Sequence, residues 1–138
     1  MIYDWALTLP INGSRAALTS QEVDITPGVV TRVMVSFPSG CAGLVHVRIR
    51  KALHQYWPIN PDGWLAEDAV ALDFAEHLEL PEDAQELTLE GYNEDDTYPH
   101  TLQVKLIILP YDIGRPPNWP QILSSVFNTL FRPLRRGG

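Results

Sequence analysis

Apolar and polar residues alternate along most of the chain, and Pro, Gly and Asn break the alternation at short intervals. A period of two marks strands with one buried face, and the breakers between runs mark turns. Residues 2–9 form the first run and stop at Pro10, with Ile11-Asn12-Gly13-Ser14 behind them as a turn. Residues 21–25 form a second, closed by Thr26-Pro27-Gly28. Residues 29–37 set Val33, Val35 and Phe37 against Arg32, Met34 and Ser36, and residues 44–53 set Val45, Val47 and Ile49 against His46, Arg48 and Arg50. The prolines of residues 55–64 lack the donors that a central strand needs, so this Trp- and Asn-rich stretch reads as a loop. Residues 69–74 make a short strand that residues 76–80 either extend or follow with one turn. Residues 86–92 place Leu87, Leu89 and Gly91 opposite Thr88, Glu90 and Tyr92, and residues 101–109 are apolar enough for a central strand.

Seven or eight short strands spaced by turns predict an all-β fold, an antiparallel, jelly-roll-like β-sandwich. Past Pro110 the period changes. Trp119, Ile122, Leu123, Val126, Phe127, Leu130 and Phe131 fall on one face of an α-helix, with Asn118 as N-cap and Pro133 as the stop. The expected organisation is a sandwich over residues 1–112, then a linker, a C-terminal amphipathic α-helix and a basic tail over residues 113–138. The helix would be about 20 Å long, too short to span a bilayer. Three fates suit its stripe: packing across its own sandwich, docking onto another subunit, or lying in a membrane interface. The last fits poorly, because the polar face carries Ser, Gln, Asn and Thr rather than Lys and Arg.

The 138 residues, 45% of them apolar, suffice for one core. The single Cys41 cannot form an internal disulfide. Met1-Ile2-Tyr3-Asp4-Trp5 carries an acid early and does not read as a signal peptide. A net charge of −7 argues against a nucleic-acid partner, which needs clustered Lys and Arg. The charges are segregated along the chain. Thirteen acids and no Lys or Arg lie between Leu53 and Val104, with Arg32, Arg48, Arg50 and Lys51 before that block and Arg115, Arg132, Arg135 and Arg136 after it. Such a block is either a solvated face or one of two complementary faces that steer copies into register.

Residues with chemical potential are few. Asp95 and Asp96, in Asn93-Glu94-Asp95-Asp96, supply hard oxygens for Ca²⁺, yet without the alternating Asp spacing of a calcium loop they read first as a hydrogen-bonded turn. Trp57, Trp64, Tyr92 and Tyr98 are candidates for stacking on a sugar. No nucleophile, zinc or phosphate-loop motif occurs, and His46, His54, His77 and His100 are scattered singly. No catalytic residue, cofactor or enzyme activity is expected.

The stretches Pro38-Ser39-Gly40-Cys41-Ala42-Gly43-Leu44-Val45-His46-Val47, Gln55-Tyr56-Trp57-Pro58-Ile59-Asn60-Pro61 and Gly91-Tyr92-Asn93-Glu94-Asp95-Asp96-Thr97-Tyr98-Pro99-His100-Thr101 resemble small uncharacterised proteins of bacteriophage and viral metagenomes. The resemblance spans about residues 25–110 and carries no catalytic motif. It implies a virion structural role as a decoration, neck, baseplate or fibre module, synthesised in the host cytoplasm and partnered by itself or by other virion proteins. Subunit contacts would then fall on Trp119, Ile122, Leu123, Val126, Phe127, Leu130, Phe131, Arg132, Arg135 and Arg136. The alternative is a carbohydrate-binding or host-adhesion domain using the four aromatic residues.

Overall fold

The computed structural model describes residues 1–114. Eight strands run in order: β1 Ile2–Leu9, β2 Thr19–Asp24, β3 Val29–Ser36, β4 Val45–Lys51, β5 His54–Trp57, β6 Ala71–Glu79, β7 Glu86–Asn93 and β8 His100–Leu109, followed by one helical turn, α1 Tyr111–Gly114. All pairings are antiparallel. β1 pairs with β8, β2 with β7, β3 with β6 and β4 with β5, as in one long hairpin whose tip is the turn after Lys51. Two further pairings, β3 with β8 and β4 with β7, roll that hairpin into two four-stranded sheets ordered β1-β8-β3-β6 and β2-β7-β4-β5.

The two sheets share one core. Leu7, Leu9, Val33, Val35, Leu102, Val104 and Leu106 from the first sheet cluster with Val23, Val45, Val47, Ile49, Leu87 and Leu89 from the second. These are the inward positions of the alternating runs, and each fully buried aliphatic side chain contributes about 1.5–3 kcal/mol. β7 departs from simple alternation, because Glu90 and Tyr92 on its outer face are buried as well. Side chains from neighbouring segments lie over them.

One expectation needs correction, one open alternative is decided, and one lies outside the described residues. Residues 55–64 are not wholly a loop, since β5 begins at His54 and ends at Trp57, before Pro58. β5 is an edge strand, so its donors are needed on one side only and the prolines after it do no harm. Residues 76–79 extend the preceding strand, giving a nine-residue β6 with unbroken alternation. The helix expected from Asn118 to Pro133 lies outside the described residues. No helix among the described residues is long and apolar enough to cross a membrane.

Candidate functional site

The outer face of β2-β7-β4-β5 carries a continuous polar network. On β4, His46, Arg48 and Arg50 point outward, opposite Tyr92, Glu90 and Thr88 of β7. Arg48 Nε donates to Glu90 Oε1 at 2.5 Å, and Arg50 Nε lies 3.0 Å from the same oxygen. Only 3% of the Glu90 side chain is exposed, so its charge depends on those two guanidinium groups. Burial pushes the Glu90 carboxyl up, but hydrogen bonds from Arg50 and Arg48 outweigh it and hold the group below its ordinary range.

Aromatic rings extend the network toward the start of β4. The His46 and Tyr92 rings stack at 4.4 Å, and Trp64 meets Tyr92 edge-on at 5.0 Å. The Arg48 guanidinium lies 4.2 Å over the Trp64 ring, a cation–π contact that adds to its hold on Glu90. Trp64 is placed by its neighbour Leu65, whose backbone exchanges hydrogen bonds with Val47 at 3.0 and 2.9 Å. The segment after β5 thus returns to the edge of β4.

Gln55 organises the intervening loop. Its Nε2 donors reach the carbonyls of Pro58, Asn60 and Gly63 at 2.7, 3.1 and 3.1 Å, and its Oε1 accepts from Arg48. Arg50 donates to the Ala52 carbonyl in the β4–β5 turn, where Ala52 takes a φ of 49°. Between this hairpin and residues 58–63 lies a hollow of about 560 Å³, lined by Arg48, Arg50, His54, Gln55, Asp62 and Glu90 together with Leu18, Leu53, Ile59 and Pro61. A second hollow of about 410 Å³ adjoins it beyond Arg50, where Lys51 faces Glu22, Asp83 and Glu86.

The four aromatic candidates do not form a stacking platform. Trp57 is buried, and its indole N–H donates to Glu76 Oε2 at 3.1 Å, tying β5 to β6. Tyr92 is buried beneath His46 and Trp64, with its hydroxyl accepting from Arg15 Nε. Trp64 is half-buried against Arg48. Tyr98 is exposed and shares no ring contact with the other three among the described residues.

Asp95 and Asp96 are engaged in a turn. Asp95 Oδ1 accepts from the Thr97 and Tyr98 amides, its Oδ2 lies 2.9 Å from His100 Nε2, and Asp96 Oδ1 accepts from the Thr97 hydroxyl. The amide of Thr97, then His100, holds the Asp95 carboxyl below its ordinary range. Among the described residues no group of three or more His, Cys, Asp and Glu side chains is placed to hold a metal ion.

The charge blocks meet within the chain. Arg32 forks onto Asp73 at 2.7 and 2.8 Å, Lys51 reaches Asp83 at 3.6 Å, and Arg48 and Arg50 hold Glu90. Among the described residues, cross-strand pairing joins basic residues of β3 and β4 to acids of the neighbouring β6 and β7. The subunit-contact candidates, Trp119 through Arg136, lie outside the described residues. Arg48, Arg50, Gln55 and Glu90 are the site residues that sequence alone does not single out. Their outward parity is visible in the alternation, whereas their partnership depends on the β4–β7 register.

Neither the protein-family models nor the curated proteins searched match this chain.

Proposed function

We propose that the chain is a non-enzymatic assembly module, a jelly-roll subunit of a virion that contacts copies of itself or other virion proteins. The observation that carries this reading is a set of three exposed apolar side chains near one end of the β1-β8-β3-β6 sheet. Met1, Ile2 and Ile113 are 52%, 69% and 66% exposed. Ile2 lies opposite Ile107, Met1 exchanges backbone hydrogen bonds with Ile108, and α1 follows β8 after a single residue, so all three belong to the end of the sheet where β8 finishes. Large apolar side chains exposed together mark contact surfaces. The sequence that continues from this end carries the stripe Trp119, Ile122, Leu123, Val126, Phe127, Leu130 and Phe131. A helix of that length is marginal in water by itself, so its apolar face needs a partner surface.

The strand order supports the jelly-roll reading. Two Greek keys rolled together as a jelly roll would order their strands β1-β8-β3-β6 over β2-β7-β4-β5, the order observed in the two sheets. Jelly rolls build viral capsids and also lectins, so the architecture alone does not choose between them. The resemblance to bacteriophage proteins favours the virion. The burial of Trp57 and Tyr92 counts against host adhesion through the four aromatic residues.

Light scattering on the full chain and on one ending at Pro117 tests the proposal. The expected result is an oligomer for the full chain and a folded monomer for the shorter one. Two folded monomers would remove the stripe as an assembly element and sink the reading.

A further inference from the structure

We infer that the hollow between the β4–β5 hairpin and residues 58–63 is a binding site for a neutral saccharide. Its volume of about 560 Å³ lies inside the range of small-molecule pockets. Its charges balance: Arg48 and Arg50 contribute two positive groups, Glu90 and Asp62 two negative ones. An anion entering it would gain from the arginines and lose against both carboxylates. Sugar hydroxyls each donate and accept, so they can use guanidinium donors and the exposed Asp62 carboxylate together, while buried Glu90 offsets the charge of the arginines.

The apolar part of the lining fits the same ligand. Leu53 and Ile59 stand fully open and 74% exposed beside Pro61, offering C–H surface to the faces of a pyranose ring next to the polar groups. The neighbouring hollow lacks this combination, since Glu22, Asp83 and Glu86 outnumber Arg50 and Lys51 there.

The polar groups are also held in place before any ligand arrives. Arg48 is fixed between the Glu90 carboxylate and the Trp64 ring, and Arg50 between Glu90 and the Ala52 carbonyl. Gln55 pins the opposite wall through three loop carbonyls. Side chains ordered in advance lose little entropy on binding. This site differs from the expected aromatic platform in every residue, and it involves none of the residues assigned to assembly.

Saturation-transfer NMR on the full chain, with the methyl glycosides of glucose, galactose, mannose and N-acetylglucosamine as probes, reads binding whatever the oligomeric state. At least one glycoside is expected to bind at millimolar concentration, undisplaced by inorganic phosphate. Asp62→Gly removes a rim carboxylate while suiting the left-handed backbone there, φ 65°. It is expected to weaken binding about fivefold, the equivalent of one hydrogen bond. Arg50→Ala is expected to weaken it at least as much, with folding checked by the chain's methyl NMR spectrum. Absence of transfer from every glycoside, displacement by phosphate, or binding unchanged in Asp62→Gly would each overturn the assignment.

Discussion

Arg48 and Glu90 face each other across the β4–β7 pair, guanidinium Nε 2.5 Å from carboxylate Oε1. They are 42 positions apart and come from stretches of opposite charge. A buried carboxylate without a partner is strongly destabilising, so β7 can carry Glu90 on a covered face only because β4 brings two arginines beside it. Arg48 also carries the indole of Trp64 and the Oε1 of Gln55, so one side chain links sheet, loop and hollow.

Removing that link has a measurable cost. Arg48→Ala leaves Glu90 with Arg50 alone and is expected to lower the urea-unfolding free energy by about 1–3 kcal/mol. Combining it with Glu90→Gln should cost less than the sum of the single changes, because the neutral amide no longer needs the lost cation. Strict additivity would mean that the two groups do not stabilise each other.

Acid should weaken the same pair. The Glu90 value in the folded chain is depressed, so its contribution is whole above the ordinary glutamate value of about 4.3 and is lost as the pH falls through the folded value. The stability difference between the native chain and Glu90→Gln is therefore expected to be constant from pH 7 to about pH 5 and to shrink below about pH 4. A difference that grows on acidification would show the carboxyl to be raised instead.

The Cys41 thiol is fully buried, and burial first, then Asp68 and Asp95, raises its pKa. Thiolate is the reactive form. The folded chain is expected to leave a disulfide reagent such as Ellman's unreacted at pH 8 until denaturant is added. Prompt reaction in buffer would contradict its placement.

Gly91 lies where β7 passes close to β4, and a Cβ there would run into the backbone oxygen of His46 and crowd Leu9. Backbone cannot move aside as a side-chain end can. Gly91→Ala is expected to destabilise the fold by about 1–3 kcal/mol in thermal or urea unfolding, with the loss centred on the β4–β7 pair.

Much of the fold can be read from the alternation, because burial on one face forces a period of two. Val45, Val47 and Ile49 point inward and His46, Arg48 and Arg50 outward, as their spacing requires. β5 is hidden because its four residues are too few to show a period and are followed by Pro58. Glu90 gives no sign of being buried, since its cover comes from Arg48 and Arg50, and nothing local encodes which strand will lie beside β7. The same holds for Arg32 with Asp73 and for Lys51 with Asp83, which are far apart along the chain and paired in space. Trp57 shows the converse: a Trp in a Pro-rich stretch more often caps a core than stands exposed, and its N–H closes onto Glu76 across the two sheets.

The most direct test of assembly is sedimentation equilibrium of the 138-residue chain beside an Ile122→Asp, Phe127→Asp double variant, over a range of concentrations. The native chain is expected to be a stable oligomer and the double variant a folded monomer, since two carboxylates in the apolar stripe make its burial between subunits unfavourable. A native chain that stays monomeric at every concentration, or a double variant that keeps the native mass, would contradict the assembly reading.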